Sequence, residues 1–295
     1  MPNLSRDTAS ETIAVKSAGT ASREPRERML AGLPVTARRL DLAGASTAVL
    51  EGGDGPPLVL LHGGIECGGA IWAPVVERLA EHHRVVIPDL PGLGESDPLA
   101  RLDAETFAAW FTALLGHTCD APPVLVAHSL GGSLAARFAT EHGERLEWLV
   151  IYGAPGAGRY RMPLGLRATA IRFALRPSER NAERFDRWAF FDYDRARGED
   201  AEWFAAFGAY TMARARIPHV KRTMRGLIGT GTKQVRGLER LEIPATLLWG
   251  RHDRFVPLGL AESASTRLGW PLHVIEDAGH VPHVEQSEAF LEALS

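Results

Sequence analysis

Short apolar runs alternate with helical patterns along most of this chain, and this alternation constrains the fold more than any other feature. A run that is apolar at nearly every position is typical of a strand buried on both faces of a parallel sheet. Five such runs occur, at Pro57–Leu61, Arg84–Pro88, residues 124–127, Trp148–Tyr152 and Ala245–Gly250. Other segments separate these apolar runs, and several of those segments show helical spacing. The chain is therefore predicted to form an α/β fold with a mostly parallel sheet.

Three further strands complete a predicted sheet of eight. Residues 38–42 and 46–51 form two short strands with a turn at Gly44, and Leu272–Ile275 forms the last strand. Helices are predicted at residues 71–80, 106–115, 130–142 and 258–268, with a closing helix from about Val284.

The alternation stops between residues 155 and 243, where the pattern is helical and no buried strand is evident. We interpret residues 155–243 as a helical cap inserted into one α/β core, which comprises residues 36–154 and 244–295. Residues 1–35 form an N-terminal extension, whose polar and charged sequence predicts weak structure of its own up to about residue 30.

Composition and charge exclude several classes of protein. Two cysteines, Cys67 and Cys119, are too few for a disulfide scaffold or a cysteine-based zinc site. A net charge of −3 argues against a general nucleic-acid binder, and no apolar run reaches the roughly 18 residues of a membrane span. The N-terminus lacks the apolar region of a secretory signal, and Asp7 and Glu11 argue against a transit peptide, so a cytoplasmic location is predicted.

The strongest local signal is the sequence AHSLGG at residues 127–132, which follows a predicted strand and opens a predicted helix. A nucleophile elbow requires that context, because its serine occupies a sharp, strained turn between small residues. The turn would lift the Ser129 hydroxyl above the sheet and aim the Leu130 N–H at a developing oxyanion. Ala127 stands where the G-x-S-x-G pattern has glycine, and a chance Ser-x-Gly at a strand–helix junction is the alternative explanation.

With these motifs the chain resembles the α/β-hydrolase family over roughly residues 36–295. His62-Gly63-Gly64 follows the third strand, and residues 88–96 (PDLPGLGES) are similar to a loop that the family carries after its fourth strand. The resemblance implies an α/β-hydrolase fold and assigns the second oxyanion N–H to Gly64. It also implies a structural role for Asp89.

A serine hydroxyl is a poor nucleophile without a general base, and the chain offers 11 histidines. His280 follows the last predicted strand, where the family places its catalytic histidine. The resemblance therefore implies that His280 acts first as a base and then as an acid toward the leaving group. His283 is the nearest competitor, but it falls where the closing helix should begin. His62 and His128 are expected to shape the floor of the site and the oxyanion loop.

The carboxylate that orients the histidine should follow a strand between the serine and the histidine. Asp253, in the segment GRHD after the strand Ala245–Gly250, resembles the family's G-x-x-D motif. The loop after the preceding strand contains no acid, and Asp277 lies too near His280 along the chain to be its usual partner. The order Ser129, Asp253, His280 matches the family's order of nucleophile, acid and histidine.

Serine at the elbow excludes the aspartyl-ester chemistry of related dehalogenases and epoxide hydrolases. The predicted activity is that of a serine esterase, which cleaves a small or medium hydrophobic ester or lactone through an acyl-serine intermediate. Neither a cofactor nor a metal is implied. The predicted partner is the small-molecule substrate, and neither nucleic acid nor a membrane span is expected.

Other functions remain open on the same fold. Residues 249–258 also resemble meta-cleavage-product hydrolases, which split carbon–carbon bonds in vinylogous diketo acids. Those relatives commonly carry Trp after the catalytic histidine, where this chain has Val281, and their glycine-rich oxyanion segment is replaced here by Ile65-Glu66-Cys67. A ligand receptor and a cofactor-free lyase or oxygenase are further alternatives, since fold does not fix function.

The predicted cap has an uneven composition. Nine aromatic residues lie between positions 185 and 210, and we expect most of them to form the cap's own core and a minority to line the pocket. Residues 155–243 hold 18 Lys and Arg against 10 Asp and Glu, whereas the rest of the chain is acidic. That charge has three alternative explanations, namely docking of the cap on the acidic core, steering of an anionic substrate and simple solvation.

Overall fold

The computed structural model describes residues 25–294, which build a central sheet of eight strands. The strands are β1 (Thr36–Leu42), β2 (Ala45–Gly52), β3 (Pro57–Leu61), β4 (Arg84–Pro88), β5 (Val124–His128), β6 (Trp148–Tyr152), β7 (Ala245–Gly250) and β8 (Leu272–Ile275). Their order across the sheet is β1-β2-β4-β3-β5-β6-β7-β8. Only β1 with β2 and β2 with β4 pair antiparallel, so the predicted α/β-hydrolase architecture with a mostly parallel eight-stranded sheet is confirmed.

Twelve α-helices accompany the sheet within residues 25–294. They are α1 (Pro25–Met29), α2 (Ala73–Ala80), α3 (Ala104–Thr118), α4 (Ser129–His142), α5 (Leu164–Leu175), α6 (Glu179–Ala189), α7 (Tyr193–Glu199), α8 (Ala201–Ala215), α9 (Pro218–Gly231), α10 (Leu258–Leu268), α11 (Pro282–Glu285) and α12 (Ser287–Glu292). The predicted single closing helix is wrong, because Gln286, with φ of −143° and ψ of 59°, is not helical and separates α11 from α12. Helices α5 to α9 all fall between β6 and β7, and we call residues 155–243 the cap segment.

Buried aromatic side chains fill the space between the sheet and its helices. On one face Phe111 meets Phe138 edge-on at 4.9 Å, which joins α3 to α4. On the other face Trp72 lies 5.9 Å from Tyr152 of β6 and 6.1 Å from Phe290 of α12. Each fully buried ring of this size contributes roughly 2–3 kcal/mol. The sheet is therefore a rigid platform, and loops at the carboxyl ends of its parallel strands can hold side chains in fixed positions.

The segment before β1 is better ordered than its sequence predicts. Met29 of α1 is 3% exposed, and α1 packs against α8. The Arg26 guanidinium forms an ion pair with the buried Asp89 at 2.7 Å. The prediction of weak structure is therefore wrong for residues 25–30, because Arg26 in the charged run pairs with Asp89, which lies 63 residues further along the chain. The first 24 residues of the predicted extension lie outside the described part of the chain.

Asp89 has the structural role that its loop implied. Its carboxylate accepts hydrogen bonds from the backbone N–H groups of Gly69, at 2.6 Å, and Glu95, at 2.8 Å, in addition to the bond from Arg26. It therefore fastens two loops and the N-terminal helix to the end of β4. Within residues 25–294, no helix combines the length and the apolar character needed to cross a membrane.

Candidate active site

Ser129 lies at the junction of β5 and α4, in a left-handed backbone conformation with φ of 53°. For a residue with a side chain this conformation costs roughly 1–3 kcal/mol. Small neighbours make the tight junction possible: a Cβ on Gly131 would lie 2.1 Å from the His62 carbonyl oxygen, and one on Gly132 would lie 2.8 Å from the Ala127 oxygen. The single methyl group of Ala127 is fully buried and accommodated. The serine is thus presented at the start of a helix by a strained turn.

The structure brings the three predicted residues Ser129, His280 and Asp253 together. The His280 Nε2 lies 2.9 Å from the Ser129 Oγ, and its Nδ1 lies 2.8 Å from the Asp253 Oδ2. The other Asp253 oxygen accepts hydrogen bonds from the N–H groups of Phe255 and Val256, each at 2.8 Å. A carboxylate held in this way accepts a hydrogen bond from the Nδ1–H of His280, so the proton stays on Nδ1 and the lone pair of Nε2 faces the serine hydroxyl.

Neighbouring groups fix the orientation of the His280 ring. Its backbone N–H donates to the Ala189 carbonyl of the cap segment at 2.6 Å. The Phe255 ring stacks on the imidazole, with centroids 4.6 Å apart and planes 10° apart. Gly153 leaves room on another side, since a Cβ there would lie 2.8 Å from the imidazole Cε1. The His280 ring is therefore held by contacts from both the core and the cap segment.

The other histidines near the site do not reach Ser129. His128 donates from its Nε2 to the His280 carbonyl at 2.9 Å, and burial holds its pKa well below the ordinary value. His62 accepts a hydrogen bond from the Leu90 N–H at 2.8 Å, and burial also lowers its pKa. Both are neutral side chains that support the loops around the site, as the sequence predicted.

His283, the competing base, faces the core rather than the serine. Its Nδ1 is hydrogen-bonded to the Tyr152 hydroxyl at 2.9 Å, and its ring packs 4.8 Å from that of Trp72. Burial, followed by the charge of His280, lowers the pKa of His283 to about 3. His283 is fully buried and is not part of the cavity that contains Ser129.

The predicted oxyanion donors Gly64 and Leu130 lie in the wall of one cavity with Ser129 and His280. Gly64 is close to Leu130, because a Cβ on the glycine would lie 2.7 Å from the leucine Cδ1. The Leu130 N–H belongs to the first turn of α4, where backbone N–H groups have no acceptor within the helix. The arrangement leaves room for an oxygen near the helix N-terminus, and the role of both N–H groups stays a prediction.

The cavity over the serine, which we call the Ser129 cavity, has a volume of about 110 Å³ and mostly apolar walls. Three of the nine clustered aromatic residues line it, namely Phe185, Phe190 and Phe207. Trp203 stacks on Phe207 at 5.3 Å and belongs to the core of the cap segment. The expectation that a minority of these rings lines the pocket is confirmed. A larger cavity of about 670 Å³, the outer cavity, shares Met224 and other wall residues with it.

Sequence reasoning missed Glu285, which connects the cap segment to the histidine loop. One of its carboxylate oxygens accepts hydrogen bonds from the N–H groups of Phe191 and Asp192 at 2.7 and 3.1 Å. The other accepts from Gly279, the residue before His280, at 2.7 Å. Glu285 is only 5% exposed, and burial raises its pKa. Nothing in the local sequence distinguishes this glutamate from a surface residue of the closing helix.

Asp186 is the second residue that sequence reasoning missed. It lies on α6 and lines the Ser129 cavity. In the sequence it is only one of several charged residues of a predicted cap helix, and nothing marks it as part of the site. No grouping of three or more His, Cys, Asp or Glu suited to a metal ion is found among residues 25–294.

An eight-stranded sheet that presents a serine at an elbow, followed in the chain by an acid and a histidine at hydrogen-bonding distance, defines a hydrolase of the α/β type. Comparison with known proteins agrees with this class. The model of the alpha/beta hydrolase family matches residues 58–293, and the chain belongs to that family.

Two of the similar curated proteins represent different reactions. The chain is 33% identical over 253 residues to a pimeloyl-[acyl-carrier protein] methyl ester esterase of Methylococcus capsulatus, covering 80% of this chain and 92% of the relative. It is 27% identical over 274 residues to a 2-hydroxy-6-oxo-2,4-heptadienoate hydrolase of Pseudomonas putida, covering 87% and 94%. A solved carboxylesterase of Bacillus subtilis superposes with a TM-score of 0.77 at 21% identity, covering 92% of this chain and 94% of its own, and shares the fold.

Proposed function

We propose that this protein is a serine esterase that cleaves a small or medium hydrophobic ester or lactone through an acyl-serine intermediate. The observation that carries the proposal is the continuous chain of hydrogen bonds from Ser129 Oγ to His280 at 2.9 Å and from His280 to Asp253 at 2.8 Å. Ser129 and His280 line a cavity with apolar walls, which suits the hydrocarbon part of an ester.

The first half of the reaction forms the acyl-serine. His280 Nε2 takes the hydroxyl proton while Ser129 Oγ attacks the ester carbonyl carbon, and the carbonyl oxygen becomes an oxyanion. The N–H groups of Gly64 and Leu130 donate hydrogen bonds to that oxyanion. The carbon–oxygen bond to the alcohol then breaks, and the proton passes from His280 to the departing alkoxide. Asp253 stabilises the imidazolium that exists between these transfers.

The second half hydrolyses the acyl-serine. A water molecule gives a proton to His280 and attacks the same carbonyl carbon. The new oxyanion occupies the same position, and collapse of the intermediate returns the proton to Ser129 and releases the carboxylic acid. The contact between the His280 N–H and the cap segment holds the base in place for both steps.

The size and the apolar walls of the Ser129 cavity support a small or medium apolar acyl group beside Ser129. The Ser129 cavity has a volume of only about 110 Å³, below the roughly 300 Å³ at which drug-sized ligand sites begin. The outer cavity, of about 670 Å³, can accept a longer chain or an alcohol group. The methyl ester esterase among the relatives supports the same reaction type.

Carbon–carbon hydrolysis of a meta-cleavage product is the second candidate, because the relative from Pseudomonas putida is named for a heptadienoate. A dienoate carries a carboxylate, and a buried carboxylate needs a cationic or hydrogen-bonding partner. Lys and Arg are missing from the described residues that line the Ser129 cavity, whereas Asp186 is present. The composition of this wall therefore favours esters over dienoates.

The test is hydrolysis of p-nitrophenyl esters of increasing acyl length by the wild type, Ser129→Ala and a control, Ser263→Ala, which changes an exposed serine on α10. We expect repeated turnover by the wild type and the control, and a loss of roughly 10³–10⁶-fold in kcat for Ser129→Ala. An acyl adduct on Ser129 by mass spectrometry would support the intermediate. Turnover of a vinylogous diketo acid but of no ester by folded wild type would overturn the proposal, and a single stable adduct would indicate a receptor.

A further inference from the structure

Asp186 is the one acidic side chain in the wall of the Ser129 cavity among the described residues. It lies near the C-terminus of α6, between Phe185 and the Ala189 carbonyl that receives the His280 N–H. Phe185 makes an edge-on contact of 5.2 Å with Phe255, the ring that stacks on His280. Asp186 therefore belongs to the part of the cap segment that contacts the triad most directly.

Asp186 is half-buried, and its carboxyl has no hydrogen bond or ion pair with any residue from 25 to 294. The adjacent Arg187 does not neutralise it, because that guanidinium binds Glu183 at 2.8 Å and Asp194 at 2.6 Å on the outside of the cap segment. A carboxyl without a partner in an apolar wall is unfavourable, and most such groups in proteins are bonded. The free oxygens of Asp186 thus form an open hydrogen-bonding position beside the nucleophile.

The surroundings of Asp186 indicate which ligand group this position can accept. Burial first, and then the charges of Glu66 and Glu183, raise the pKa of Asp186 to about 8. Glu66 lines the adjoining outer cavity. A further anion here would face two acidic side chains, so it is disfavoured. A group with a polar hydrogen is favoured, because a carboxyl offers an accepting oxygen whether or not it is protonated.

We propose that Asp186 is a specificity-determining residue, which accepts a hydrogen bond from a hydroxyl or ammonium group on the acyl part of the ester substrate. We assign the donor to the acyl part because this part stays bound to Ser129 in both halves of the reaction. A contact with it can therefore lower the barrier of both halves. The preferred substrate is thus an apolar ester with a hydrogen-bond donor on its acyl chain, and an acyl chain that ends in a carboxylate is rejected. This inference rests on the proposed esterase function.

The substrates for the test are methyl esters of equal acyl length that end in methyl, methoxy, hydroxyl, ammonium or carboxylate, with acid release followed by pH-stat titration. For the wild type we expect kcat/KM to be about 10–100-fold higher for the hydroxyl and ammonium esters than for the methyl and methoxy esters. The methoxy ester only accepts hydrogen bonds, so equal preference for it would show that Asp186 acts as a donor and would overturn the proposal.

Three variants separate the contact from general charge. Asp186→Leu should lose the preference for donors, so that the kcat/KM ratios of the hydroxyl and ammonium esters to the methyl ester fall to about one. Asp186→Asn, which keeps an accepting oxygen but cannot become an anion, should still prefer the hydroxyl ester and should lose the preference for the ammonium ester. Glu183→Gln removes a carboxyl from the same helix outside the cavity wall and should leave the ranking unchanged.

The outcomes of this experiment are distinct. An unchanged ranking in both Asp186 variants, or an equal change in Glu183→Gln, would overturn the inference and leave the esterase proposal in place. Hydrolysis of no ester by the wild type would mean that both are wrong. If Asp186→Leu fails to fold, the asparagine variant, which is closer in shape, still decides the result through the ammonium ester.

Discussion

At the scale of single residues, Asp253 shows how backbone groups fix the geometry of the candidate site. Two N–H groups hold one of its oxygens at 2.8 Å, so the other can only face the Nδ1 of His280. In Asp253→Asn an amide oxygen can keep the two backbone bonds, and the amide nitrogen then faces Nδ1. Because that nitrogen is a donor, it favours the imidazole tautomer that carries its proton on Nε2.

We therefore expect Asp253→Asn to lower kcat by roughly 10³–10⁴-fold with little change in the free energy of unfolding. Ester hydrolysis under saturating substrate measures the first quantity, and urea unfolding measures the second. A loss of activity below tenfold would show that another acid orients His280.

Asp186 gives a prediction about stability and pH. Its ordinary pKa is about 3.9 in an unfolded chain, whereas burial and two neighbouring acids raise it to about 8 in the folded protein. Between these values the folded state binds the proton and the unfolded state does not, so the free energy of unfolding falls as pH rises from about 4 to 8. Asp186→Asn removes this penalty, and we expect it to stabilise the protein by about 1–3 kcal/mol at pH 9 and by less at pH 5. Urea unfolding at both pH values tests this, and an equal change at both would contradict it.

The residues of the candidate site fall into two groups, those that a local sequence motif reveals and those that only the folded structure reveals. Ser129, Asp253 and His280 each follow a strand in a short motif, so local sequence and family resemblance located them. Asp186 and Glu285 have no such motif. Their surroundings come from chain segments up to 120 residues away, such as Glu66 for Asp186 and Phe191 for Glu285, and only the folded structure places these together.

At the scale of elements, α11 connects two parts of the site. Its Glu285 bonds the loop between α6 and α7 to the loop that carries His280. The same two loops are joined by the bond between the His280 N–H and Ala189. A Cβ on Gly279 would lie 2.4 Å from the Ala189 oxygen, so no side chain would fit at this contact without a shift of the backbone. The position of the base therefore depends on the cap segment as well as on β8.

We expect Glu285→Ala to lower kcat about 10–100-fold, with a smaller effect on KM, because three N–H groups lose their acceptor and the His280 loop shifts. The rate at which a phosphonate inhibitor labels Ser129 should fall in parallel. Glu288→Gln is the control, since Glu288 is an exposed residue of α12 that contacts Arg78 at 3.3 Å. A loss in stability without any change in kcat or labelling rate would assign Glu285 a purely structural role.

The elements that the sequence predicted well are those whose patterns are local. The strands β3, β4, β6 and β7 begin and end where their apolar runs do, because burial on both faces marks nearly every residue. Helix α1 could not be predicted, since three of its five residues are charged and Met29 is its one buried side chain. It is held by contacts with α8 and with Asp89, and such contacts leave no periodic signal.

At the scale of the whole molecule, the structure decides among the explanations for the basic cap segment. Arg187 pairs with Asp194 and Arg195 with Glu199 within that segment at exposed positions, and an ion pair of 3.8 Å joins Arg214 to Glu95 of the core. Neither Lys nor Arg lines the Ser129 cavity among the described residues, although Arg167 and Lys221 line the outer cavity. The positive charge is therefore mainly solvated and lies away from the nucleophile, which does not support steering of an anion to the serine.

The N-terminal helix joins the core to the cap segment through Arg26. Its guanidinium binds Asp89 of the core at 2.7 Å and lies 3.4 Å from the Tyr210 hydroxyl of α8. Asp89 is fully buried, so Arg26→Met would leave a buried carboxylate without its counter-ion. We expect this variant to lower the free energy of unfolding by about 2–4 kcal/mol in urea.

Two comparisons identify the ion pair as the cause of that loss. Arg78→Met removes an exposed arginine that contacts Glu81 at 3.6 Å and Glu288 at 3.3 Å, so it should cost less than about 1 kcal/mol. The double variant Arg26→Met with Asp89→Asn should recover part of the stability, because the unpaired buried charge is gone while an accepting oxygen remains for the Gly69 N–H. Equal losses for the Arg26 and Arg78 variants would mean that the N-terminal helix is held by the packing of Met29 rather than by this ion pair.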